Sequence, residues 1–105
     1  MDRKVIPHEW VEEYLRKSGD DKIASGNIEI SDHGFCVWGI LEDKLILIQV
    51  YGDGEFWDMW ADNKAEEMGK EKVFFATKRS PRSFAKKYGY EISGYILERK
   101  AKWVA

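Results

Sequence analysis

The sequence is poor in cysteine, proline and histidine, and it contains no uncharged apolar run long enough to cross a bilayer. Its single cysteine, Cys36, cannot form an internal disulfide. His8 and His33 are isolated, and no histidine or cysteine lies at a metal-ligand spacing. The first residues lack the apolar stretch and cleavage site of a secretory signal. These absences predict a cytoplasmic protein with no metal and no membrane partner.

What is present indicates one globular domain over residues 1–105, because 44% of the residues are apolar and 14% are aromatic. The charge is unevenly distributed along the chain. Residues 1–70 hold 16 acidic and 8 basic side chains, whereas residues 71–105 hold 3 acidic and 9 basic ones. The two halves therefore either attract each other or face different partners.

The first half reads as a helix followed by an antiparallel meander. Apolar residues at one-face helical spacing, beginning with Trp10 and Tyr14, predict a helix over 7–19, and a turn completes an N-terminal unit of residues 1–26. Alternating or β-branched runs at 27–31, 35–41 and 45–50 predict three strands joined by tight turns. Residues 27–50 therefore form the meander.

The second half, residues 51–105, alternates strands and helices. Helical spacing through Trp57 and Trp60 predicts a helix over 55–68, followed by a buried strand over 73–77. Ser80 as N-cap begins a helix over 79–89, and a final strand is predicted over 92–99. The order α-β-β-β-α-β-α-β indicates an α/β (α+β) fold, in which helices pack on a mixed, mostly antiparallel sheet.

The string QVYGDG at 49–54 joins the third meander strand to the helix that follows. Gly52, Asp53 and Gly54 are typical turn residues, so the string reads as a tight turn after a strand. A glycine-rich connection that opens a helix also suits an anion, because helix N-termini offer unpaired N–H donors. Both interpretations are open from the residues alone.

The order of elements, with Gln49, Gly52 and Gly54 in a Q-x-x-G-x-G string at this junction, resembles the GNAT acyltransferase superfamily. The stretch RSFAKKYGYEISGYILERK is similar to the closing helix and strand of that family, with Gly89 and Tyr90 as its Gly-aromatic pair. The resemblance covers roughly residues 27–99 and implies a GNAT-like fold.

The resemblance implies transfer of an acyl group from acetyl-coenzyme A to an amine. Gln49, Val50, Gly52 and Gly54 would bind the cofactor, and a backbone N–H near residues 48–50 would polarise the thioester carbonyl. The family usually has a tyrosine acid where this chain has Ala85. Tyr88 is the nearest phenol and is the predicted catalytic acid.

Acidic side chains at the junction oppose the binding of a pyrophosphate, namely Asp53, Glu55 and Asp58. Three further residues are open alternatives for a general base, namely His33, Glu29 and Glu42. Nothing in their spacing singles one of them out. Cys36 has no identifiable partner base and is expected to be a small buried residue.

Two other functions fit the same sequence. One is a non-catalytic interaction protein that kept the fold and lost the cofactor site, of the type that phages often encode, which would place it in a host cytoplasm. The other is a nucleic-acid-associated accessory protein. It depends, like any site for an acidic partner, on five basic residues: Lys78, Arg79, Arg82, Lys86 and Lys87. The amine acceptor or protein partner stays unidentified, and an exposed edge strand allows a monomer or a homodimer.

Overall fold

The computed structural model describes residues 5–76, 91–93 and 96–104. Within them the chain forms two helices and six strands. In chain order these are α1 (His8–Ser18), β1 (Asn27–Ser31), β2 (Gly34–Leu41), β3 (Lys44–Gly52), α2 (Gly54–Glu67), β4 (Lys72–Ala76), β5 (Glu91–Ser93) and β6 (Ile96–Lys100).

The six strands make one sheet in the order β1-β2-β3-β4-β6-β5. β3 and β4 run parallel, with α2 as the connection between them, and the other neighbouring pairs are antiparallel. The predicted mixed, mostly antiparallel sheet is confirmed. The last strand along the chain, β6, lies between β4 and β5, so the order along the sheet differs from the order along the chain.

The two helices pack on opposite faces of the sheet. The faces can be told apart along β2, since successive residues of a strand point in opposite directions. Cys36 belongs to the buried cluster that also contains Trp57 of α2. Phe35, the preceding residue, points to the other face, where Tyr14 of α1 packs against its ring edge at a centroid distance of 5.7 Å. Both faces of β2 are therefore buried over its first four residues, Gly34 to Val37.

A buried ion pair fastens α2 to β6. Arg99 is 8% exposed and Asp58 is 3% exposed, and their nitrogen and oxygen atoms lie 2.8 Å apart. Asp62, one turn further along α2, accepts a second bond from Arg99 at 2.6 Å. Charge-assisted hydrogen bonds thus hold α2 against β6.

One predicted element is wrong. The final stretch, predicted as a single strand over 92–99, forms two short strands, β5 and β6, which pair with each other in antiparallel orientation. The Ser93-Gly94 dipeptide is a turn signal that interrupts the run of strand-forming residues. The helix predicted over 79–89 lies outside the described residues. No helix within the described ranges is long and apolar enough to span a membrane.

Candidate functional site

The string QVYGDG covers the end of β3 and the start of α2, and the connection between the two elements is a single residue. β3 continues through Gly52, and α2 begins at Gly54, so Asp53 alone separates strand from helix. The indole N–H of Trp57 donates to the carbonyl of Tyr51 at 3.1 Å, and Asp53 N–H donates to the carbonyl of His33 at 2.9 Å. These bonds fix the first turn of α2 directly against the end of the strand.

A β-bulge lies in β3 just before this junction. Val37 of β2 pairs with Gln49, whereas the next residue, Trp38, pairs with Leu47. Ile48 is therefore the extra residue on the bulged strand, and a bulge leaves that residue outside the ladder of hydrogen bonds. The resemblance implies a backbone donor near residues 48–50, and the bulge lies at this position.

The parallel pairing of β3 with β4 ends at the same point. The last paired residues are Leu47 and Phe75, so residues 48–52 have no partner in β4 among the residues described. Within the described ranges, the half of β3 beyond the bulge pairs with β2 alone. A strand edge without a neighbouring strand is the kind of surface to which an extended ligand can hydrogen-bond.

The N-terminus of α2 is already occupied by a side chain of the protein. The Asp53 carboxylate accepts the N–H groups of Glu55 at 3.0 Å and Phe56 at 3.3 Å. Both of these bonds go to Oδ1, and the other carboxylate oxygen, Oδ2, lies 3.7 Å from Nδ1 of His33. An incoming phosphate group would compete with this carboxylate for the donors at the helix end.

The other two acidic residues of the junction differ in their surroundings. Asp58 points into the protein, where Arg99 and Lys102 balance its charge, at 2.8 Å and 3.6 Å. Glu55 is exposed in the first turn of α2. Opposition to an anion at this site therefore comes from Asp53 and Glu55, and less from Asp58.

The four residues that the resemblance assigns to the cofactor are close in the chain but differ in environment. Gln49 is 5% exposed, and its side chain is engaged with residues 20–24 on the α1 side of the sheet. Val50 packs against the buried cluster on the α2 side. Gly52 has a φ of 102°, a conformation that favours glycine, and Gly54 is the first residue of α2. A ligand would reach these positions mainly through their backbone.

The remaining candidate residues lie elsewhere. Burial raises the pKa of the Cys36 thiol far above its usual range, so this residue is a poor nucleophile. Glu42 lies in the β2–β3 turn, where it pairs with Lys44 at 3.3 Å. Glu29 is on the edge strand β1, opposite Cys36. His33 stacks on Phe56 with ring centroids 4.2 Å apart, and of these residues it alone borders the junction.

Several candidates fall outside the described residues, including Tyr88 and Ala85. The five basic residues between 78 and 87 fall outside them as well, and their assignment stays a prediction. Within the described part of the chain, no group of three or more His, Cys, Asp or Glu side chains is arranged to hold a metal ion.

Two features of the site were not recognised in the sequence. The Asp53 cap has a recognisable signal, since aspartate directly before a helix is a preferred N-cap. The bulge at Ile48 has none, because a one-residue shift between two paired strands is not visible in the sequence of one of them.

Comparison with known proteins supports the fold at the level of three-dimensional structure. No protein-family model matches the sequence, and no curated protein matches it either. The structure is similar to the crystal structure of PaiA N-acetyltransferase from Thermoplasma acidophilum in complex with coenzyme A, with a TM-score of 0.52 and 20% sequence identity. The match covers 68% of this chain and 57% of that chain. The protein therefore has a GNAT-like fold, and it spans little more than half the length of this neighbour.

Proposed function

We propose that this protein binds acetyl-coenzyme A and transfers its acyl group to an amine. The observation that carries the proposal is the bulge at Ile48, which coincides with the end of the β3–β4 pairing. A strand whose backbone edge has no strand partner among the described residues, beside a helix N-terminus, is suited to an extended, phosphate-bearing ligand. The neighbour of similar fold was solved with coenzyme A, which agrees with this choice of ligand.

The described residues fit such a ligand at two places. The backbone at the bulge would donate to the thioester carbonyl, and the N–H of Gly54 at the start of α2 would face the pyrophosphate. Asp53 opposes the second contact, because its carboxylate accepts from the same helix end. Asp53 must therefore turn away when an anion binds.

The bound thioester supplies an activated acyl group to the amine. The chain contributes position and electrostatics: β3 orients the carbonyl, and a donor at the bulge stabilises the negative charge that develops on its oxygen. Tyr88 is the proposed acid that protonates the departing thiolate. His33 stays a candidate base, although it borders the N-terminus of α2, at the pyrophosphate end of the site, and not the bulge.

A calorimetric titration with acetyl-coenzyme A tests the binding step, and release of free thiol in the presence of n-butylamine tests the transfer step. We expect saturable binding and an amine-dependent rate of thiol release. Absence of binding at millimolar acetyl-coenzyme A would contradict the proposal.

The second candidate is a non-catalytic interaction protein that kept the fold, of the kind often encoded by phages. The Asp53 carboxylate favours it, because a helix end that is satisfied internally needs no anionic ligand. Under this alternative, neither acetyl-coenzyme A nor inorganic pyrophosphate binds, and replacing Asp53 by a neutral residue does not create binding.

A further inference from the structure

Gln49 is one of three polar or charged residues that are buried in the described part of the chain. The other two, Asp58 and Arg99, pair with each other. A buried carboxamide needs partners for its donors and its acceptor, because an unsatisfied polar group is costly to bury. The partners of Gln49 therefore indicate what holds it in place.

All of those partners belong to one short piece of chain, the 20–24 segment. Gln49 Oε1 accepts the N–H of Ala24 at 2.9 Å, and Nε2 donates to the carbonyl of Lys22 at 3.0 Å. Nε2 also donates to Asp20 Oδ2 at 3.1 Å. Both donor hydrogens and the carbonyl oxygen of the carboxamide are thus used. One side chain of β3 ties down the connection between α1 and β1.

The bulge explains why Gln49 faces this segment. If β3 were regular at Ile48, strict alternation would put Gln49 on the same face as Leu47, toward α2. Ile48 lies on the same side as the segment, since a Cβ at Gly26 would be 3.5 Å from Ile48 Cδ1 and 3.0 Å from Val37 Cγ1. The residues that follow the 20–24 segment therefore pack directly against the bulge.

From this arrangement we infer that Gln49 is a positioning residue, which places the 20–24 segment as the acceptor-side wall beside the bulge. The inference depends on the proposed function, because the bulge is where the thioester carbonyl would lie. It differs from the role that the resemblance gives to Gln49, in which the residue serves the cofactor. The Gln49 side chain contacts the 20–24 segment, which lies on the face of the sheet opposite α2. The inference places the approach of the amine on that face.

The inference is tested with Gln49→Met, which keeps the length of the side chain and removes all three hydrogen bonds. Lys70→Met is the control, because Lys70 also donates from its side chain to a backbone carbonyl, that of Glu42 at 2.8 Å, and belongs to the connection between α2 and β4. Gln49→Glu is a second variant. It keeps an acceptor for Ala24 and loses the two donated bonds.

Three quantities are compared with those of the wild-type protein: hydrogen exchange at the Ala24 amide, the Kd of acetyl-coenzyme A, and the KM for n-butylamine. We expect Gln49→Met to speed exchange at Ala24 by about tenfold or more, because its acceptor is lost. The KM for n-butylamine should rise by about tenfold, while kcat and the Kd of acetyl-coenzyme A change by less than about threefold. Gln49→Glu should raise the KM as well, and Lys70→Met should change none of the three.

Two results would overturn the inference. A weaker Kd for acetyl-coenzyme A with an unchanged KM for the amine would make Gln49 a cofactor residue. If the wild-type protein binds acetyl-coenzyme A but both Gln49 variants keep its KM for n-butylamine, the segment does not form the acceptor side. A wild-type protein that binds no acetyl-coenzyme A would instead overturn the proposed function itself, and the inference with it.

Discussion

Gly34 and Gly52 lie opposite each other where β2 begins and β3 ends, and their backbones approach so closely that neither position has room for a Cβ. A Cβ at Gly34 would overlap the carbonyl oxygen of Tyr51, and one at Gly52 would overlap the carbonyl oxygen of His33. Both residues also have positive φ values, 129° and 102°. Gly52 is therefore required by the fold, whether or not a ligand binds beside it.

Replacing Gly52 by alanine is expected to destabilise the protein by about 3 kcal/mol, because backbone strain and an overlap with the chain are combined. Gly69→Ala is the matched control, since Gly69 has a φ of 67° but no atom within 4 Å of a Cβ. This change should cost only about 1 kcal/mol. Chemical denaturation of the two variants measures the difference, and equal losses would contradict the close approach.

The pair formed by Arg99 and Asp58 gives a second prediction. Arg99→Met removes the buried guanidinium that Asp58 and Asp62 share, and we expect a loss of about 3–5 kcal/mol in the free energy of unfolding. The double variant Arg99→Met/Asp58→Leu should recover part of that loss, because it removes the buried charge as well. Urea denaturation of both variants provides the measurement.

The control for this prediction is Lys72→Met. Lys72 pairs with Glu98 at 3.5 Å between the neighbouring strands β4 and β6, and both side chains are about 40% exposed. An exposed pair of this kind contributes less than about 1 kcal/mol. A loss at Arg99 that is no larger than the loss at Lys72 would refute the structural role of the buried pair.

The contact between Glu13 and Tyr51 predicts a pH dependence of stability. The Tyr51 hydroxyl donates to Glu13 at 2.5 Å, and Lys17 lies 2.6 Å from the same carboxylate. Lys17 and Tyr51 lower the pKa of Glu13 below its ordinary value of 4.5, and Glu13 raises the pKa of Tyr51 above 10.0. The contribution of Glu13 is therefore present above pH 4.5 and is lost as the pH falls through its lowered pKa.

Tyr51→Phe keeps the ring, which stacks on Phe35 at 5.4 Å, and removes the hydroxyl. The Tm of this variant should lie below that of the wild type at neutral pH, because the bond to Glu13 is lost. The difference in Tm should shrink once Glu13 is protonated. On the alkaline side, the contribution of the Tyr51 hydroxyl is lost as the pH rises through the raised pKa of Tyr51. A difference that is constant from acid to neutral pH would show that the hydrogen bond contributes nothing.

The role proposed for Tyr88 is tested by Tyr88→Phe, with Tyr90→Phe as the control from the same segment of sequence. Loss of a general acid should lower kcat for thiol release by about 100-fold and leave the Kd of acetyl-coenzyme A unchanged. Unchanged turnover in Tyr88→Phe, or an equal effect of both variants, would remove the assignment.

The sequence predicts most of the fold because its strands and helices carry strong local signals. The meander follows from alternating runs between tight turns, and α2 follows from the helical spacing around Trp57 and Trp60. The prediction failed at residues 92–99, where strand-forming residues on both sides of Ser93-Gly94 obscured a break between two strands.

The geometry of the site depends on contacts between residues that are distant in the sequence. The Gln49 carboxamide meets a segment 25 to 29 residues away, and Arg99 meets Asp58 across 41 residues. No local pattern contains such pairs. The bulge at Ile48 is likewise a property of how two strands register, which a single apolar run does not determine.

The most direct test of the central claim is the affinity for acetyl-coenzyme A of the wild-type protein and of Asp53→Asn. Asparagine keeps the N-cap and removes the negative charge at the helix end, so the account predicts saturable binding that tightens by about fivefold. Glu67→Gln, at the opposite end of α2, removes the same charge and should leave the Kd unchanged. No binding by either the wild type or Asp53→Asn at millimolar acetyl-coenzyme A would contradict the account.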